Sequence, residues 1–285
     1  MFYKCLGVSA CMDAKGLFML TRPLNSLLAS LAVVLAGFMT HEMDATILLA
    51  VASVIFISSG GNAINDYFDY DIDRINKPNR PIPSGRVSRR EALYFSILSF
   101  ACGSIVALFI NYACLVIAVG ASVVLYYYAK SLKHMGLPGN LTVAGLTGMA
   151  IVYGGVSVAG IEKIVFVALF AFLINLSREI VKDTEDLTGD EAGGAHTLAI
   201  RYGTSTSLKL GALPLILLMC ITPIPYLMGL YNIYYLATML VGVDIPILYI
   251  LSLLIRSPTV RTAERVKTYL KVLIVIGILG LYIGI

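Results

Sequence analysis

Charge is scarce in this chain. Only 13% of its 285 residues are Asp, Glu, Lys or Arg, whereas 58% are apolar and the mean hydropathy is +0.85. A soluble domain carries about 25% charged residues, and a chain of this length has no interior large enough to hide the excess apolar surface. Disorder and nucleic-acid binding fall with the soluble class. Cysteine is sparse and scattered: Cys5, Cys11, Cys102, Cys114 and Cys220 contain no CxxC pair, so a disulfide or zinc framework is excluded. Tryptophan is absent, which leaves the aromatic belt of a membrane protein to the 17 tyrosines.

What is abundant comes in long apolar runs, the pattern of membrane helices and not of an alternating barrel. The first 20 residues include Lys4, Asp13 and Lys15 and lack the clean apolar core of a signal peptide. Nine runs follow, near 22–41, 45–68, 91–110, 112–130, 140–160, 163–181, 206–229, 232–255 and 266–285. Each approaches the roughly 20 residues that cross a bilayer core. If the N-terminus is cytoplasmic, every Lys and Arg except Lys163 falls on the cytoplasmic side, as the positive-inside rule requires. The expected fold is all-α: one polytopic membrane helix bundle over 1–285, of about nine transmembrane helices, with cytoplasmic cap loops after helices 2 and 6. Its setting is a multi-pass protein of the cell membrane, surrounded by membrane lipids and with its site on the cytoplasmic face.

Ten of the 17 acidic residues fall in two stretches, at the cytoplasmic ends of spans 2 and 6. The first holds Asp66, Asp69, Asp71 and Asp73; the second holds Glu179, Asp183, Glu185, Asp186, Asp190 and Glu191. The shared position hints at duplicated four-helix units, about 22–130 and 140–255. Asn65, Asp69 and Asp73 follow i, i+4, i+8, so a continuing helix puts them on one face, with Asp71 roughly opposite. Glu179, Asp183, Asp186 and Asp190 follow i, i+4, i+7, i+11, although Gly189 is placed to end that helix early. Stacked like charges repel and persist best around a cation. Hard oxygen ligands suit Mg²⁺, which shares its shell with substrate phosphates, and two converging acidic faces suit two such ions. The basic neighbours Lys77, Arg80, Lys130, Lys133 and Lys182 are placed to take up the remaining phosphate charge. An EF-hand beginning at Asp69 fails, because its required glycine is Arg74 and its twelfth position is Arg80.

Other features are ambiguous in the sequence. Residues 76–85 hold three prolines and should form a stiff, extended strap carrying Arg80 beside the first acidic stretch. Asp244 is a lone carboxylate inside span 8, a functional suspect or the cap of a helix broken by Pro246. Asn140-Leu-Thr matches a glycosylation acceptor but lies on the cytoplasmic side. His134 and His196 have no metal-ligand spacing and suit polar loop positions.

The run from Gly61 to Gly85, with its NDxxDxxxD core and RP-x-PSG strap, closely resembles the first signature of the UbiA-type intramembrane prenyltransferases. Arg178 to Asp190, followed by Thr197 to Gly203, resembles the second signature, with its DxxxD core at Asp186 and Asp190. Thr21-Arg-Pro and Tyr126 to Lys130 are also similar to the family, and the likeness covers nearly the whole chain. It is greatest to archaeal members that transfer a geranylgeranyl group to geranylgeranylglyceryl phosphate. The resemblance implies a prenyl diphosphate donor, a lipid-phosphate acceptor and Mg²⁺ held by Asn65, Asp69, Asp73, Asp186 and Asp190, with Asp66 and Asp183 in support. The catalytic set it implies is Asp69, Asp73, Asp186, Asp190 and Lys130, with Lys77, Arg80, Lys133 and Lys182 on the diphosphate. The strap is about two residues shorter than in ubiquinone-pathway members, so Lys77 and Arg80 are both candidates for the phosphate contact. Tyr67, Phe68, Tyr126, Tyr127, Tyr128 and Tyr153 are the aromatic faces offered to an allylic cation. The same chemistry with an aromatic-ring acceptor is the alternative; a divalent-cation transporter is a remote one, because both acidic stretches sit at one face.

Overall fold

The computed structural model describes residues 13–187, 191, 194 and 196–285, without the side chain of Lys163. Its helices are α1 (Ala14–Leu20), α2 (Pro23–Thr40), α3 (Ala45–Phe68), α4 (Tyr70–Asn76), α5 (Arg89–Leu108), α6 (Tyr112–Lys130), α7 (Leu137–Ser157), α8 (Ile161–Glu185), α9 (Leu198–Ile221), α10 (Ile224–Leu227), α11 (Ile233–Met239), α12 (Ile245–Arg256) and α13 (Val260–Ile283). Among the described residues, nine helical stretches are long and apolar enough to cross a membrane, and no strand is present. A multi-pass membrane protein follows.

Helix starts are written locally. Asp44 accepts from Thr46 N (2.9 Å), Asn111 from Cys114 N (2.7 Å) and Thr259 from Thr262 N (3.2 Å). Ser88 and Glu91 close a reciprocal capping box at α5. α2 packs on α3 and α3 on α5; in the second half, α7 packs on α8 and α8 on α9. The largest apolar core lies in that second half, around α8, α9 and the C-terminal helices.

Four local expectations are corrected. The Asn65–Asp73 helix is not continuous: α3 stops at Phe68, Asp69 is its C-cap, and α4 restarts at Tyr70. α8 ends at Glu185, ahead of Gly189, and Asp186 is its C-cap. Asp190 and Gly189 lie outside the described residues. The proline strap is wound, not extended. Arg80 N bonds Lys77 O, Ser84 N bonds Arg80 O and Gly85 N bonds Ile82 O, each at 3.0 Å. A proline φ near −65° suits tight turns as well as extended chain, and burial of Ile82 against Leu20, Ala63, Val87 and Ala92 selects the turns. Asp244 does not cap a broken helix; the chain passes through one π-helical stretch, Leu240–Asp244, and the carboxylate accepts from Thr222 Oγ1 at 3.3 Å.

Candidate active site

The end of α3 gathers cations from three other segments. Arg22 has a left-handed backbone (φ 45°) ahead of Pro23, and its guanidinium contacts the Asp66 carboxylate. Arg80, from the strap, reaches Asp66 at 3.2 Å and also contacts Asp73. The Asp66 and Asp73 side chains are only 4% and 5% exposed, so this bridge neutralises carboxylates that lack water. Asn65 and Asp69 form a second group: Asn65 Nδ2 donates to Asp69 Oδ2 at 2.9 Å. Lys133 Nζ contacts Asp69 Oδ1 and lies 3.3 Å from Asn65 Oδ1. The expected single face is thus divided: Asn65 and Asp69 share Lys133, while Asp73 joins Asp66 on Arg80.

The end of α8 is supplied partly from its own helix and partly from two others. Glu179 accepts from Arg178 Nη1 at 2.5 Å and faces Lys182 at 3.9 Å. Asp183 accepts from Asn140 Nδ2 at 2.9 Å, so the apparent glycosylation sequon is an internal tie. Glu185 pairs with Lys267 of α13 at 2.5 Å. The loops above are joined where His196 N donates to His134 O at 2.9 Å. Gly136 makes that approach possible: its φ is +69°, and a Cβ there would lie 2.6 Å from the His196 carbonyl. Burial and neighbouring Lys133 hold His134 below the ordinary histidine range, against the pull of Asp69.

The two ends share one space. Asn65 of the first end, Glu179 of the second and Tyr128 line the same cavity. That cavity, of about 690 Å³, is walled by Arg22, Asn62, Asn65, Tyr128, Arg178 and Glu179, and continues along apolar residues including Val54, Ile57 and Ile117 to Tyr153. A second cavity of about 500 Å³, almost wholly apolar, lies between α2, α8 and α13 and shares Leu28, Ala32, Thr147 and Asn175 with the first.

Of the residues singled out in the sequence, Asn65, Asp69 and Lys133 meet, as do Asp66, Asp73 and Arg80. Asp183 meets Asn140 of α7. Asp186, Lys77 and Lys130 are exposed, and Lys130 lies 6.0 Å from the Tyr126 ring. Among the six aromatics, Tyr128 and Tyr153 line the cavity. Tyr67, Phe68, Tyr126 and Tyr127 form an edge-to-face chain with centroids 5.1–5.7 Å apart, and Arg89 lies over Tyr67. Arg22, Asn140 and Arg178 were missed as site residues. Arg22 carried a sequence signal, its place in Thr21-Arg-Pro at a helix start; Asn140 meets Asp183 only through the packing of α7 on α8, whereas Arg178 is held within α8 by Asn175 and Glu179.

The donor chemistry fits a hard divalent cation. Asn65 Oδ1 and the Asp69 carboxylate already converge on one ammonium, that of Lys133. Among the described residues, no group of three His, Cys, Asp or Glu is drawn tightly enough to hold a metal ion unaided. A substrate phosphate would complete such a shell.

Residues 25–275 match the UbiA prenyltransferase family. The chain is 40% identical over 278 residues to the digeranylgeranylglyceryl phosphate synthase of Thermococcus kodakarensis, covering 96% of this chain and 99% of that one. It is 38% identical over 251 residues to the Methanothermobacter thermautotrophicus enzyme of the same name, covering 88% and 89%. A solved digeranylgeranylglyceryl phosphate synthase structure superposes with a TM-score of 0.90 at 36% identity, covering 96% and 99%. A UbiA homolog from Archaeoglobus fulgidus, bound to GPP and Mg²⁺, shares the fold at a TM-score of 0.69 and 18% identity, covering 91% and 99%. With the acidic helix ends, the shared cavity and these likenesses in place, the chain belongs to the UbiA prenyltransferase family and is a membrane-embedded prenyltransferase.

Proposed function

We propose that the enzyme transfers a geranylgeranyl group from geranylgeranyl diphosphate to the hydroxyl of geranylgeranylglyceryl phosphate, forming the second ether bond of a lipid precursor. The observation that carries this reading is the single cavity joining a charged mouth, with Asn65 and Glu179 on its walls, to a long apolar interior. Relatives named for this reaction, aligned over nearly their whole length, support it.

In this reading the donor diphosphate lies at the charged mouth and its tail in the apolar interior. Asn65, Asp69 and Asp73 on one side and Asp183, Asp186 and Asp190 on the other would hold two Mg²⁺, with Asp66 fixed behind them by Arg22 and Arg80. Bound Mg²⁺ supplies charge neutralisation for the leaving diphosphate. Lys133 exchanges its bond to Asp69 for the diphosphate, and Lys182, Lys130, Lys77 and Arg80 supply further positive charge. The bond between donor C1 and the diphosphate oxygen breaks, leaving an allylic cation that the faces of Tyr128 and Tyr153 stabilise. The acceptor oxygen bonds to C1 and its hydroxyl proton passes to solvent at the charged mouth. That mouth faces the cytoplasm, where the Lys and Arg excess lies.

Membranes containing the enzyme, incubated with labelled geranylgeranyl diphosphate and either acceptor class, test the proposal. The glyceryl phosphate lipid should be alkylated, with loss on chelation and recovery on adding Mg²⁺. Exclusive alkylation of an aromatic ring would overturn the acceptor assignment.

A further inference from the structure

Arg178 lies near the charged end of α8, seven residues before its last residue Glu185, about 10 Å back along the helix axis at 1.5 Å per residue. Its side chain is 26% exposed and lines the cavity. Nη1 donates to Asn175 Oδ1 at 3.1 Å and to Glu179 at 2.5 Å; among the described residues its other nitrogens make no hydrogen bond. Glu179 is shared with Lys182, and so does not belong to Arg178 alone. A planar fork held at one nitrogen, with donors to spare, is suited to a phosphate.

Two phosphate-bearing substrates must enter this site, and the walls differ. The first is lined by Asn65, whose Oδ1 meets Lys133, and does not border the apolar cavity. Asn175, which holds Arg178, lines both cavities. A lipid whose tail occupies the apolar cavity would present its headgroup beside Asn175 and Arg178. We propose that Arg178, positioned by Asn175, binds the phosphate of the acceptor lipid and so selects a phosphorylated lipid over an uncharged one. This assignment rests on the proposed function and deepens it.

The test uses the full-length enzyme in lipid vesicles with Arg178→Gln and Arg178→Lys. The Gln variant should raise KM for geranylgeranylglyceryl phosphate at least about tenfold while KM for geranylgeranyl diphosphate stays within about twofold. The Lys variant should recover much of the loss. Geranylgeranylglycerol, which lacks the phosphate, should be alkylated equally by wild type and Arg178→Gln. A rise in donor KM as large as that for the acceptor, or no change in either, would overturn the assignment. Failure of the wild type to alkylate the phosphorylated lipid would instead defeat the proposed function, and this inference with it.

Discussion

The acidic stretches at the ends of α3 and α8 each lie where a long apolar helix stops, yet they are neutralised differently. The α3 carboxylates borrow cations from three other segments: Arg22 ahead of α2, Arg80 in the strap and Lys133 beyond α6. At the α8 end one carboxylate is paired within the helix: Glu179 meets Arg178 and Lys182, while Asp183 takes an amide from Asn140 and Glu185 takes Lys267. The first end is thereby fastened into the fold, and the second presents more open groups such as Asp186. Similar sequence spacing can thus serve a locked wall and an adjustable one.

The sharpest challenge to this comparison is loss of activity from both sides. Asp69→Ala and Asp186→Ala should each reduce transfer by about 10³-fold or more, measured in Mg²⁺-supplied membranes. Full activity in Asp186→Ala would mean that the open end is not part of the reaction. Next comes stability. Arg80→Ala strands the buried Asp73 carboxylate and should cost about 3 kcal/mol, seen as a lower Tm in detergent. Lys182→Ala, removing an ammonium that is 44% exposed, should cost less than about 1 kcal/mol. Comparable losses would erase the distinction between locked and open ends.

Gly136→Ala should lower stability by about 1–3 kcal/mol through its left-handed backbone and the close His196 carbonyl. Its Tm would report whether the loops above the two ends depend on that contact. The smallest effect is expected at Asp244→Asn, which keeps an acceptor for Thr222 and lies outside both ends. Transfer should be unchanged and Tm altered by less than about 1 kcal/mol equivalent; a large activity loss would give Asp244 a role that neither cluster accounts for.

Much of the architecture was legible residue by residue. The apolar runs at 45–68 and 112–130 coincide with α3 and α6, and the others fall close to the spans that form. Less legible were places where packing chose between local options. The proline-rich strap permitted both extended chain and turns, and burial of Ile82 selected the turns. Asn65, Asp69 and Asp73 suggested one face, which the break at Asp69 divided. Asp244 was a candidate cap, but its partner Thr222 belongs to a neighbouring helix.

Hydropathy, capping and charge placement sum along the chain, so sequence alone determined the membrane bundle, its spans and the two carboxylate-rich ends. Only the tertiary structure decided which cation answers which acid and that both ends open on one cavity. Arg22 and Asp66 are 44 positions apart and Lys133 and Asp69 are 64 apart. Such distant side chains meet only where helix packing brings their segments together, and that proximity is not encoded in spacing along any single helix.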